Sequence, residues 1–208
     1  MRSAKYVQYG CGWCAPEGWI NFDASPTLRL EKIPGFRIFI KKNRQPFPPN
    51  VLYGDIIRGL PIELGSCKGM YCSHVLEHLA LEDLKSALKN TYSFLSEGGI
   101  FRFVIPDLRY YAQRYVNDSS GMAANAFMND TCLGQEKRER NIYGFFLQWF
   151  GNSQHRWMWD YHSIGEELRQ AGFRKIRRAN YNDSEDPMFR KVEEKERWEN
   201  CLGIECVK

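Results

Sequence analysis

Residues 6–23, Tyr-Val-Gln-Tyr-Gly-Cys-Gly-Trp-Cys-Ala-Pro-Glu-Gly-Trp-Ile-Asn-Phe-Asp, constrain this chain more than any other stretch. Residues 5–9 alternate like a strand and run into Gly10-Cys11-Gly12; residues 19–22 repeat the strand pattern and Asp23 closes it. Pro16 and Gly18 stand between the two, so a crossover helix has room for roughly one turn. In open α/β sheets a nucleotide-like ligand is held in the crevice outside the carboxyl ends of such strands. The turn and its carboxylate are therefore the first candidates for a site.

The chain beyond this stretch alternates between strand and helix signals. Residues 51–55 form a third strand ending in Asp55, and residues 70–73 a fourth that delivers His74-Val75-Leu76-Glu77-His78. Leu81, Leu84, Leu88, Tyr92 and Leu95 recur at helical spacing behind Glu82 and Asp83, which suit the positive end of a helix dipole; Gly98-Gly99 stops that helix. Residues 100–105 make a fifth strand, and a short helix is predicted after Pro106-Asp107. Ser163-x-x-Glu166 predicts a capping box opening a helix with Ile164, Leu168 and Ala171 inward and Gly172 as its stop. Residues 173–181 and 202–207 supply two last strands, with 182–187 and 190–199 between them expected as a solvated loop and helix. This alternation argues for an α/β fold with a mostly parallel sheet covered on both faces.

Two segments interrupt the pattern. Residues 24–50 form an insertion that carries prolines and six basic side chains between 29 and 44. It is expected as a surface segment, a lid, or a patch meeting an acidic substrate or an anionic membrane surface. Residues 117–160 are irregular, with an aromatic group at 143–150, and are expected as a cap over the strand ends. A length of 208 residues fits a single domain spanning 1–208. No run approaches the ~20 apolar residues of a membrane span, and the N-terminus lacks the apolar core of a secretory signal; a cytoplasmic protein is the expectation. Seven cysteines, an odd number, read as reduced thiols. A net charge of +4 is too small to imply a nucleic-acid partner.

Three motifs admit more than one chemistry. Gly10-x-Gly12-x-x-Ala15 matches a dinucleotide fingerprint in form, but no helix can open at the turn and Asp23 arrives well before the acid expected ~20 residues on. Cys11-x-x-Cys14 offers a redox pair or, with Cys67, Cys72 or the histidines, a zinc site; its place inside a glycine turn favours small side chains beside a ligand loop. His74-x-x-Glu77-His78 spells the inverted zincin pattern, and a zinc metallohydrolase using these three residues stays open as an alternative. A peptidase carries that pattern in a long helix with a third ligand. Here it stands at the mouth of a strand, where Glu77 and His78 are expected to cap and hold the next helix.

With the turn, Asp23, Gly54-Asp55, Ser73-His74-Val75-Leu76-Glu77-His78-Leu79 and Gly98-Gly99 before Phe103-Val104-Ile105-Pro106-Asp107 in register, the chain resembles a class I S-adenosylmethionine-dependent methyltransferase. It is most similar to small bacterial predicted methyltransferases associated with polysaccharide synthesis, through Gly18-Trp19-Ile20-Asn21-x-Asp23, the Ser73–Leu79 stretch and His155-Arg156-Trp157-Met158. The resemblance implies a Rossmann-like, doubly wound, seven-stranded sheet whose last strand, 202–207, is antiparallel, under a helical cap. It implies that the backbone of Gly10, Cys11 and Gly12 approaches the methionine end of the cofactor. Asp23 accepts the ribose hydroxyls, Asp55 and Ile56 bracket the adenine, and Ser73 and His74 lie near the sulfonium. Two positions depart from the pattern: Gln8 stands where an acid commonly faces the cofactor's amino group, and Lys68 where an acid usually precedes the fourth strand. The expected reaction is O-methylation of a small or saccharide-like acceptor, with His74 or His155 as base, Asp107 as a second polar wall, and no metal assigned. A non-catalytic binding or assembly module of the same fold is the competing expectation.

Overall fold

The computed structural model describes residues 5–31, 45–134 and 154–208. Seven strands, β1 (Lys5–Tyr9), β2 (Ile20–Asp23), β3 (Val51–Tyr53), β4 (Cys67–Ser73), β5 (Leu95–Pro106), β6 (Arg174–Ala179) and β7 (Cys201–Val207), form one sheet in the order β3-β2-β1-β4-β5-β7-β6. β7 is antiparallel to both β5 and β6, and the other neighbours are parallel, as the resemblance implied. The order reverses between β1 and β4, and the crevice of an α/β sheet opens at such a switch point.

Helices α1 (Pro26–Glu31), α2 (Leu81–Phe94), α3 (Leu108–Asn117), α4 (Ala123–Asp130) and α5 (Tyr161–Gln170) complete the described architecture. No helix occupies the β1–β2 crossover, in keeping with Pro16 and Gly18. Gly10 (φ +63°) is fixed there by packing, because a Cβ would come within 2.3 Å of the Val75 side chain. Among the described residues no helix is long and apolar enough to cross a membrane. The basic segment beyond Glu31 and the aromatic group at 143–150 lie outside the described residues; of the stretch 117–160 expected as a cap, the described residues include α4.

One face of the sheet is buried conventionally. Val7, Tyr9, Cys72, Phe101, Phe103 and Ile105 pack with Leu84, Leu88, Ile164 and Leu168 of α2 and α5. The opposite face corrects the expectation for 182–199. Instead of a solvated loop and helix, this stretch folds into two short 3-10 turns, Pro187–Lys191 and Lys195–Arg197, which place Phe189, Val192 and Trp198 against Tyr71 and Val104. The anchor is Arg102, fully buried in the middle of β5. Alternation along β5 sends Phe101 and Phe103 to one face and Arg102 to the other. There Arg102 donates to Glu193, to Asp183 at 2.9 Å, to Glu205 at 3.1 Å and to the Asn180 carbonyl at 2.6 Å, and its guanidinium lies 4.7 Å from the Trp198 ring centre. A buried cation is tolerated only when paired in this way. Lys68 serves the same purpose: its Nζ lies 3.1 Å from Asp186, which also accepts from Tyr6 at 2.7 Å and caps the first 3-10 turn.

Two helix starts also differ from expectation. The capping box of α5 is formed by Asp160 and Ser163, with Asp160 accepting from the Ser163 amide at 2.8 Å; Glu166 pairs with Arg169 instead. α2 starts after Ala80 with no side-chain cap, and Glu77 and His78 belong to a separate one-turn 3-10 helix, Leu76–His78.

Candidate cofactor and acceptor site

A cavity of about 290 Å³ opens at the carboxyl ends of β1, β2 and β4. Gln8, Gly10, Cys11, Gly12, Asp23 and Ser73, six of the positions expected from sequence, line it. The Asp23 carboxylate is fixed by the turn it faces: Oδ2 accepts from the Gly12 amide at 2.9 Å and Oδ1 from the Ser25 amide at 2.7 Å. Each oxygen keeps accepting capacity for a hydroxyl. Gly12 (φ +55°) has nothing within 4 Å of where a Cβ would be, so its backbone faces open space at the cavity wall.

Gln8 works mainly as a brace. Its amide donates to the Cys14 carbonyl at 2.7 Å and to Asn21 at 2.6 Å, holding the glycine turn to β2. The wall opposite comes from residues the motifs did not suggest. Val192, Glu194 and Arg197 line the cavity from the segment after β6. Arg197 donates from Nε to the Ser73 hydroxyl and from Nη2 to the Ser73 carbonyl. A sequence signal that could have found them is the arginine at the centre of Phe101-Arg102-Phe103, which needs acidic partners once its strand is buried.

Asp55, Ile56 and Asp107 do not line the cavity. Asp55 accepts from the Ile57 amide at 2.9 Å beyond β3, and Ile56 is buried with its carbonyl accepting from Asn90 at 2.8 Å. Asp107 caps α3 through the Arg109 amide at 2.9 Å and lies 3.5 Å from Arg178. Cys11 and Cys14 are both free thiols. Burial, with Asp23 and Cys14 nearby, pushes the Cys11 thiol up to about 12; burial and Glu194 raise Cys14 as well.

His74, the residue after β4, lies in the left-handed region (φ +53°). Its Nδ1 is 3.1 Å from Glu77 Oε1 and its Nε2 is 2.9 Å from the Arg197 carbonyl. Burial opposes its charge, but Cys201, Glu77 and that carbonyl outweigh burial and raise its pKa to about 10. An imidazolium has no lone pair, so this geometry does not suit the expected role of His74 as base. His155 is held at the same place by backbone bonds: its own amide donates to the Cys132 carbonyl at 3.3 Å, and the Arg156 and Trp157 amides donate to the Glu77 carbonyl at 2.8 and 3.1 Å. Its ring centre is 5.0 Å from that of His78. Burial lowers its pKa, His78 and His74 add to the effect, and Glu77 opposes it. His74, Glu77, His78 and His155 thus form one cluster, on a bend and a single 3-10 turn rather than on the long helix of a zinc peptidase.

Beside this cluster, α3 and α4 enclose a groove of about 390 Å³ lined by Tyr110, Tyr111, Arg114, Tyr115 and Phe127. Asp130 at the end of α4 lines the groove, and the Cys132 carbonyl two residues on accepts from the His155 amide at 3.3 Å, which places that end of the groove next to the cluster.

A family profile described as a methyltransferase domain matches residues 11–177. The chain belongs to this family of methyltransferase domains. Among solved structures it is similar to an S-adenosylmethionine-dependent methyltransferase from Archaeoglobus fulgidus, at 17% identity and TM-score 0.51, covering 100% of this chain and 87% of that one. A second, from Thermotoga maritima and described as a possible histamine N-methyltransferase, is 16% identical at TM-score 0.55, covering 100% and 84%. A phosphoethanolamine N-methyltransferase from Haemonchus contortus in complex with S-adenosyl-L-methionine is 14% identical at TM-score 0.50, covering 100% of this chain and 49% of that one. At these identities the likeness is one of fold. No curated protein matches the chain significantly.

Proposed function

We propose that this chain transfers a methyl group to a hydroxyl oxygen of a small or saccharide-like acceptor, of the kind handled in polysaccharide synthesis. The observation that carries the reading is the tyrosine-lined groove beside the His74 cluster, a surface on which a hydroxylated ring can stack while its oxygens meet polar groups.

S-adenosylmethionine, when bound, supplies a methyl on a sulfonium that leaves with its bonding pair on sulfur. The residues present fit it. Asp23 accepts the ribose hydroxyls, and the Gly10–Cys11–Gly12 backbone approaches the amino-acid end. Glu194 provides the negative charge that Gln8 lacks toward the amino group, and Arg197 provides the positive charge for the carboxylate. The cavity, at the small end of the ~300–1,000 Å³ usual for ligand clefts, would take this part of the molecule; Asp55 and Ile56, which lie outside it, would meet the adenine only beyond its wall. Ser73, clamped by Arg197, fixes the end of β4 where the reacting groups meet. An in-line displacement depends on that alignment. As the methyl–oxygen bond forms, the acceptor hydroxyl's proton passes to an imidazole of the His78–His155 pair, and Asp107 is an outer polar wall.

Incubation with methyl-labelled S-adenosylmethionine and a panel of sugars, nucleotide sugars and amines tests the reading. Base-stable label in a hydroxylated saccharide is expected. Label confined to amines, or to base-labile esters, would contradict it.

A further inference from the structure

Glu77, His78 and His155 each offer a ligand atom, and these atoms lie within 4.8 Å of one another, next to the cofactor cavity but outside it. Glu77 is completely buried, and neither of its carboxylate oxygens has a hydrogen-bond partner. His74 Nδ1 stands 3.1 Å from Oε1 without a well-aligned hydrogen bond, which leaves Oε2 bare. Nδ1 of His155 is likewise buried and unpartnered. Orphaned polar atoms of this kind are rare in folded proteins and signal a missing partner. Glu77 Oε2 and His155 Nδ1 are the two such atoms in this cluster.

The surroundings are those of a ligand set. His78 Nδ1 is 3.1 Å from the Gln154 carbonyl; as the donor to that oxygen Nδ1 keeps its proton, and Nε2 of the neutral ring has its lone pair free. Carbonyl partners orient metal-binding histidines in this way. The two segments that carry the donors are stitched together by the Arg156 and Trp157 amides on the Glu77 carbonyl, so the donors are held together by backbone rather than by mobile side chains.

We propose that Glu77, His78 and His155 bind one divalent transition ion. Two imidazoles and one carboxylate suit Zn²⁺, Co²⁺, Mn²⁺ or Fe²⁺, whereas Mg²⁺ and Ca²⁺ favour all-oxygen sets. Three protein donors leave coordination positions open for an oxygen ligand. Use of those positions by the methyl acceptor rests on the reading above; occupancy of the site does not.

The full chain, stripped with a chelator and titrated with Co²⁺, tests the proposal. One equivalent is expected, with the visible spectrum of nitrogen and oxygen ligation and displacement by Zn²⁺. His78→Ala and His155→Ala are each expected to weaken uptake at least ~10-fold. S-adenosylhomocysteine binding should survive in both and show that the fold is intact; Glu77→Gln, which keeps the side-chain shape, should behave alike. No stoichiometric uptake at submillimolar Co²⁺ would overturn the proposal. So would a thiolate charge-transfer band, since seven cysteines are present, or unchanged affinity in both histidine variants. Normal uptake without S-adenosylhomocysteine binding supports the ion site and counts against the cofactor assignment alone.

Discussion

Arg197 donates to the Ser73 hydroxyl at 2.7 Å and to the Ser73 carbonyl at 2.9 Å, joining positions 124 residues apart. Through this pair the segment after β6 becomes a wall of the cavity at the end of β4. A charged hydrogen bond contributes about 1.5–3 kcal/mol, so Arg197→Ala is expected to weaken S-adenosylhomocysteine binding about tenfold or more in a calorimetric titration. Arg197→Lys should recover only part of this, because an ammonium cannot make both contacts from a rigid fork. Unchanged affinity in both variants would remove Arg197 from the site.

The same wall depends on Arg102. Replacing it with Leu leaves the buried Glu193 without its cation, while Asp183 and Glu205 keep Arg177, and breaking a buried pair typically costs about 3–5 kcal/mol. Urea denaturation should show a loss of that size. Cofactor affinity should fall with it, since Val192, Glu194 and Arg197 ride on the segment that Arg102 anchors.

Acid should act on this network first. Burial opposes the charge of Asp183, but hydrogen bonds from Arg177, the Asn180 amide and Arg102 outweigh it and hold the carboxyl at about 2. A carboxyl depressed below its unfolded value of about 3.9 stabilises the fold fully above that value and loses its contribution as pH falls through the folded one. The melting temperature should therefore drop more steeply between about pH 4 and pH 2 in the parent chain than in Asp183→Asn. Parallel curves would contradict the assignment.

Thiol chemistry separates the glycine turn from a redox motif. Cys11 is buried with its pKa raised to about 12, whereas Cys132 is exposed. Iodoacetamide at mildly alkaline pH should label Cys132 first and leave Cys11 unmodified until the chain unfolds. Early modification of Cys11, or a Cys11–Cys14 disulfide under mild oxidation, would revive the redox reading.

The parts of this fold that were legible in the sequence are those set by neighbours along the chain. Pro16 and Gly18 forbid a helix in the first crossover, helical spacing marks α2, and Gly10, Gly12, Asp23 and Ser73 follow from strand ends. The parts that were not legible are set by distant partners. The charged stretch 190–199 looks solvated because Arg102, Lys68 and Ser73, which hold its segment, lie far upstream. His155 is brought to Glu77 by the Arg156 and Trp157 amides on the Glu77 carbonyl, contacts that no spacing encodes, and Asp107 is taken up as a helix cap. The Asp160 cap shows the finer limit: two overlapping boxes are compatible with the same residues, and packing selects one.

Calorimetric titration with S-adenosylhomocysteine tests the central claim most directly, because the cavity at β1, β2 and β4 is assigned to that ligand's parent. One ligand should bind per chain, and Asp23→Ala, which removes the acceptor for two ribose hydroxyls, should lower affinity at least about tenfold. No binding at millimolar ligand, or an Asp23→Ala variant that binds as tightly as the parent, would contradict the account.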